Sequence, residues 1–389
     1  MSRSPLALAA LATVAVPGLD VVDVRAPRTS VSGFDVAIVI DSEQRRWVIR
    51  APQDPTAGII LEAEVAMLRT LGPQSRTGAL PFAVPEPSGF ARLLEGGRAV
   101  VWPMVAGRKL QIGELIAGTS LPQSIGAAIG AIHNTDPATL ENASLTRYSA
   151  DEYRAKHLAE LDAAAQTGRV PARLLARWEE KLENVALWHF HPILCHGSLS
   201  AEQILVRNGE VVAIEGWANA QIADPADDLS WIVVAADPAA AQSILTAYRE
   251  ARPHLQDPHL TDRARLVGEL ALISWLLHGV HSENEEIIAD AEQMLDDLVQ
   301  HIEQEEAFAA QRAAELEAER RALQAAEAAR IADEKEGTEH PPETTFSATS
   351  APTPEYSDEE SIEGEDPIEG EDPIDDEEFV DDEEPEQAN

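Results

Sequence analysis

The chain has 389 residues, 44% of them hydrophobic, which exceeds one typical domain and suffices for a sizeable core. Its formal charge of −40 excludes a binder of phosphate backbones, so no nucleic-acid partner is expected. A single cysteine, Cys195, excludes an internal disulfide framework and agrees with a reducing, cytoplasmic setting. No run approaches the ~20 apolar residues of a membrane span, so no membrane partner is expected either.

In chain order, Leu6 to Val16 is apolar and Ala-rich. It has the length of a signal-peptide core, but Arg3 is a thin positive region, and Pro17-Gly18 would end a packing helix equally well; we read a helix. Leu19 to Arg25 reads as a strand. Thr29 to Gly33 reads as a turn. Phe34 to Ile40 and Arg46 to Ala51 form a hairpin around Asp41-Ser42-Glu43-Gln44. The spacing over Thr56 to Leu71 predicts a helix burying Ile59, Ile60, Ala63, Met67, Leu68 and Leu71 on one face. Ala99 to Trp102 is a strand, followed by Pro103-Met104-Val105-Ala106-Gly107. Helices are expected over Leu121 to His133, Ala150 to Ala165 and Pro171 to Phe190, and later over about 225–236, 238–251 and 260–281. Trp217, Trp231 and Trp275 are assigned to the core. His278, His281 and Glu285 have ligand-like spacing, but Gly279 and Ser282-Glu283-Asn284 read as a helix end, and no metal is assigned there.

From Glu285 to Glu336 Ala, Glu, Arg and Leu dominate without Gly or Pro, which is strong helix propensity. The part up to Ile302 has the apolar residues to pack. The rest reads as a projecting charged helix, with Glu317 and Arg321 as a favourable pair one turn apart. Gly337 to Asn389 holds 21 Asp and Glu and no Lys or Arg. Such a segment cannot bury a core and is expected to be disordered. It would serve either as a docking tail for a basic protein partner or as a solubilising tail.

The richest stretch runs from Leu194 to Leu229, LCHGSLSAEQILVRNGEVVAIEGWANAQIADPADDL. A short apolar strand leads to His196-Gly197. Asn208-Gly209 between two β-branched runs is a strong hairpin signal. Asp224-Pro225 then opens a helix. Cys195 beside His196 invites a Cys/His nucleophile reading, but a small buried residue on a strand is the simpler one.

This layout resembles the active-site region of the aminoglycoside and macrolide phosphotransferases, whose pattern is roughly H-G-D-L-x-x-x-N/H-[IVL]-L, a hairpin, I-D-W, then G-D-P-x-x-D-L. His196, Gly197, Leu199, Ile204, Leu205, Trp217, Asp224, Pro225, Asp228 and Leu229 fit that frame. The resemblance implies an α+β, two-lobed, protein-kinase-like fold. A β-rich lobe would cover residues 1–105 and a mostly helical lobe 106–302, followed by a projecting helix over 303–336 and the acidic tail over 337–389. It further implies ATP or GTP with Mg²⁺ as cofactors. Arg50 stands at the family's phosphate-contacting cation, Glu64 at its helix partner, and Trp102 and Met104 at the adenine-binding hinge. Thr29 to Gly33 would be the phosphate-covering loop.

The reacting positions depart from the family. Ser198 occupies the place of the catalytic Asp, beside His196. Gln203 stands for the metal-binding Asn or His, and Gly216 for the metal-binding Asp. Phosphoryl transfer rests on positioning and on neutralising charge. A serine hydroxyl is too weak an acid to replace a carboxylate base, and glycine offers Mg²⁺ no oxygen. Glu215 is the nearest substitute ligand, although a one-residue shift on a strand points a side chain to the other face. Two readings follow: a catalytically impaired, nucleotide- or protein-binding scaffold, or an active ATP- or GTP-dependent small-molecule O-phosphotransferase with non-standard metal ligands. In a third, the acidic tail is the working part.

Overall fold

A computed structural model describes residues 2–336 apart from 28–30, 141, 142, 144, 255 and 256. Two compact units divide at Ala313/Ala314. The acidic tail lies outside the described residues, as do residues 28–30 of the expected phosphate-covering loop; Val31 to Gly33 form a turn.

In the first unit, helix α1 (Pro5–Ala15) precedes strands β1 (Val21–Arg25), β2 (Phe34–Asp41) and β3 (Arg46–Pro52). Helix α2 (Pro55–Thr77) and strands β4 (Gly89–Arg92) and β5 (Arg98–Pro103) complete a sheet of order β1-β2-β3-β5-β4. Alternation along each strand divides its side chains between two layers. Ile49, Ala51, Ala99 and Val101 pack with Leu8, Ala12 and Ala15 of α1. Val100 and Trp102 pack instead with Leu61 and Val65 of α2. Arg50, two residues from Val48, therefore faces α2.

The inward stripe of α2 is Ala57, Leu61, Glu64, Val65, Leu68 and Leu71. The expected face is corrected at its start: Ile59 is 72% exposed and Ile60 43%, and Ala63 is exposed. Apolar residues at both flanks of that turn blurred its phase, which buried Glu64 sets.

The rest of this unit is mostly helical. Short strands β6 (Arg108–Lys109) and β7 (Thr146–Arg147), which no sequence signal announced, frame helix α3 (Ser120–His133). Helices α4 (Ala150–Gln166) and α5 (Ala172–Glu183) lead to β8 (Ile193–Cys195). The helix expected over Pro171 to Phe190 stops at Glu183, because Asn184 turns the chain and its side chain accepts the Ala186 N–H. The hairpin β9 (Ile204–Arg207) and β10 (Glu210–Ile214) pairs with β6, and β11 (Gln221–Ala223) lies between β7 and β8. Helices α6 (Ala226–Ala235), α7 (Pro238–Ala251) and α8 (Leu260–His281) follow, and α9 (Glu285–Glu336) begins in this unit and continues into the second. Gly126 on α3 allows α7 to approach: a Cβ there would stand 2.3 Å from the Ile244 carbonyl oxygen.

Two cores fill this helical part. One gathers α3, α6, α7 and the β8–β10 strands around Trp217, which is 1% exposed. The other joins α4, α5 and α8 to the start of α9 through Ile288, Ala291, Leu295 and Ile302. Trp231 is half-buried against the first core. Trp275 is a correction: it is 38% exposed, and its indole N–H donates to Asp290. Among the described residues, none beyond Ile302 is buried, and no helix is long and apolar enough to cross a membrane. In the second unit Arg321 and Glu317 form the expected pair at 2.6 Å.

Candidate functional site

The loop after β8 is held from beneath by Asp228, in the first turn of α6. The backbone N–H groups of His196 and Gly197 donate to its two oxygens at 2.7 and 3.0 Å. His133, at the end of α3, meets the same carboxylate at 3.1 Å. Burial alone would raise the pKa of Asp228, but the His133 hydrogen bond and the surrounding donors hold it below its ordinary value. The His196 ring sits 4.6 Å from Trp217, and its Nε2 donates to the Glu215 carbonyl at 2.8 Å. Gly197 has φ +79°, and a Cβ would stand 2.1 Å from the Asn219 carbonyl oxygen, so only glycine fits.

Ser198 follows, exposed. Its neighbour Ser200 donates to Gln203 Oε1 at 2.6 Å and caps the short turn 201–203. Gln203 thus has one lone pair of its amide oxygen taken by Ser200. Gly216 adopts φ +82° and offers no ligand. Glu215 turns to Lys109, whose ammonium stands 3.1 Å from its carboxylate and also donates to the Glu202 carbonyl. This set does not make a divalent-cation site as it stands: Gly216 supplies no side chain, Gln203 Oε1 accepts from Ser200, and the Glu215 carboxylate is salt-bridged to Lys109.

Arg50 and Glu64 form an ion pair at 2.6 Å. The Arg50 guanidinium lies between the Phe34 and Trp102 rings, 5.4 and 5.1 Å from their centroids. At the hinge, Trp102 is 4% exposed. The Met104 N–H is engaged with the Arg46 carbonyl at 2.8 Å, so that donor is not free for a base.

Four further residues had no sequence signal. Lys109 lies far from Glu215 in the chain. Arg263 of α8 grips Asp224 with two hydrogen bonds of 2.6 and 3.0 Å. Tyr153 of α4 donates to Asp227, which also accepts from Gln221 at 3.1 Å. Tyr248 of α7 touches His133 at 2.8 Å. Asp224 is thus held by Arg263, and Asp227 by Tyr153 and Gln221. Asp227 is half-buried as a residue, but its Oδ1 lies inside without a partner. Burial, with Asp224 close by, pushes it up to about 8.

Cys195 is fully buried; its thiol donates to the Asp224 carbonyl, and burial pushes it well above its ordinary value. That excludes a nucleophile. His133, Cys195 and Asp228 bring ligand atoms within 4.8 Å of one another, but each atom already serves a hydrogen bond. His278 stacks on Trp275 and His281 bonds the Leu277 carbonyl, so they do not converge.

The sequence pattern of the phosphotransferase enzyme family (APH) matches residues 26–261. None of the curated proteins matches the sequence. Among solved structures, macrolide 2′-phosphotransferase MphH from Brachybacterium faecium is similar, with 24% identity, a TM-score of 0.64, and coverage of 74% of this chain and 97% of that one. A macrolide 2′-phosphotransferase type I shares 22% identity at TM-score 0.63, covering 76% and 98%. The GDP and kanamycin complex of APH(2″)-IIIa shares 15% identity at TM-score 0.61, covering 74% and 96%.

Proposed function

This chain belongs to the phosphotransferase enzyme family and has its kinase-like fold; from that premise we propose that it is a nucleotide-binding member whose phosphoryl-transfer centre is impaired. The observation that carries the reading is the Lys109–Glu215 pair beside Gly216. Where a phosphotransferase collects oxygen ligands for Mg²⁺, this chain sets an ammonium against its nearest carboxylate. Ser198 carries a hydroxyl where the family has its Asp carboxylate. Arg50, fixed between two rings and paired to Glu64, keeps a guanidinium for phosphate oxygens, a partner its fork fits. The GDP bound in a similar structure supports nucleotide as the ligand class. The intact Asp228 anchorage of His196-Gly197 favours one alternative, an active small-molecule O-phosphotransferase.

Thermal shift with ATP and with GTP, in Mg²⁺ and in chelator, decides between them. The expected outcome is a rise in Tm with at least one nucleotide, equal with and without Mg²⁺, and smaller in Arg50→Ala. Stabilisation that requires Mg²⁺, together with phosphate transfer to an aminoglycoside or macrolide, would overturn the reading.

A further inference from the structure

At the entry to β8, opposite the end that carries His196, a cavity of about 310 Å³ opens between the ends of α3 and α7. Arg252, Asn134, His189, His191 and His254 line it, over an apolar wall that includes Phe190. The three histidines are exposed. Asp257, the one acid in the wall, accepts from Arg263 at 3.1 and 2.7 Å and is neutralised. Arg252 has no carboxylate partner among the described residues. Its Nε donates to Asn134 Oδ1 at 3.2 Å and its Nη1 to the Tyr248 hydroxyl at 2.8 Å. The rest of the guanidinium fork remains for a ligand. The cavity therefore presents a permanent cation and imidazole donors in a chain whose net charge is −40.

Arg252 also begins an unbroken line of hydrogen bonds. The Tyr248 hydroxyl that accepts from it contacts His133 Nδ1 at 2.8 Å, and His133 Nε2 contacts Asp228 at 3.1 Å. Asp228 in turn holds the N–H groups of His196 and Gly197. The network assigns the directions: Arg252 donates to Tyr248, Tyr248 to Nδ1, and Nε2–H to the carboxylate. Burial keeps His133 below its ordinary value, as a neutral ring in this role requires.

We propose that this cavity is a binding site for a small phosphate-bearing ligand, and that occupancy is read at the His196-Gly197 loop through Arg252, Tyr248, His133 and Asp228. An oxyanion matches a guanidinium fork and imidazole N–H groups, and the volume suits a small metabolite. Ordering Arg252 against an anion fixes the first member of the line, and the coupling is reciprocal between the two ends. The site does not depend on whether the chain transfers phosphate.

Calorimetric titration of the full chain with inorganic phosphate at fixed ionic strength, paired with hydrogen exchange at the 195–199 segment, tests this. We expect saturable binding that slows exchange of the His196 and Gly197 amides. Binding should weaken at least tenfold in Arg252→Gln and stay unchanged in Arg321→Gln, which removes an exposed cation of the projecting helix; Arg50→Ala reports separately on phosphate held at the nucleotide site. Should Arg252→Gln fail to fold, the exposed pair His189→Ala and His254→Ala is expected to fold and to weaken binding at least threefold. Tyr248→Phe should bind phosphate yet lose the slowing. Absence of saturable binding, or binding that vanishes with Arg50 and survives loss of Arg252, overturns the site. Exchange that slows equally in Tyr248→Phe overturns the coupling.

Discussion

Asp228 and Asp227 are adjacent in sequence and opposite in chemistry. Asp228 gathers two backbone N–H groups and His133, so it stays ionised while buried. Replacing it by Ala leaves His133 Nε2 and the loop amides without a partner. The expected cost is ~3–5 kcal/mol, read as a lower urea midpoint. Asp227 accepts from Tyr153 and Gln221 on one oxygen only, its other oxygen is orphaned, and burial pushes it up to about 8. Between pH 3.8 and about 8 the folded state holds this proton and the unfolded state does not. Its contribution is therefore complete below the unfolded value and is lost as pH rises through the folded one. Asp227→Asn should lose less stability than the parent between pH 5 and 8, by up to ~1.4 kcal/mol per pH unit. Parallel pH profiles in urea would refute it. Restoring acids to the degenerate positions is the converse experiment. Gly216 has a left-handed φ that Asp tolerates. Ser198→Asp with Gly216→Asp and Lys109→Ala should make nucleotide-induced stabilisation respond to Mg²⁺, as thermal shift would read. The sequence located these positions because their neighbours follow a pattern. It was silent on Lys109, Arg263, Tyr153 and Tyr248, whose contacts join distant segments without any periodic signature.

Elements were legible where one period ruled. The β2–β3 hairpin, α3 and the β9–β10 hairpin follow from alternation, helical spacing and Asn208-Gly209. The failures have physical causes. In α2 the first turn carries apolar residues on the solvent side, and the true phase is set by Glu64, which is buried because Arg50 reaches it. Two-residue strands such as β6 and β7 depend wholly on partners elsewhere in the chain. The Arg50–Glu64 contact joins β3 to α2, so each element orients the other. Glu64→Gln keeps the shape and removes the charge. It should lower Tm by a few degrees, consistent with ~1–3 kcal/mol for a partly buried charged hydrogen bond, and should weaken nucleotide binding by freeing Arg50 from its fixed pose. Unchanged binding would show that the rings alone position the guanidinium.

At the scale of the molecule, α9 changes character along its length. Up to Ile302 it supplies Ile288, Ala291, Leu295 and Ile302 to a core shared with α4, α5 and α8. Beyond that residue its described side chains are exposed. Ending the chain after Ala313 should leave the Tm of the first unit unchanged. Ending it before Glu285 strips four buried apolar residues and should lower it sharply or prevent folding, at ~2–5 kcal/mol for each large one. The lone thiol has a use that follows from its position. Cys195 is fully buried on β8, immediately before His196, and is the sole cysteine of the chain. A thiol reagent reaches it only when this core opens, so the labelling rate counts openings of the strand that carries the loop. The wild-type chain thus contains a single-site clock for that opening, readable in a spectrophotometer without any introduced probe.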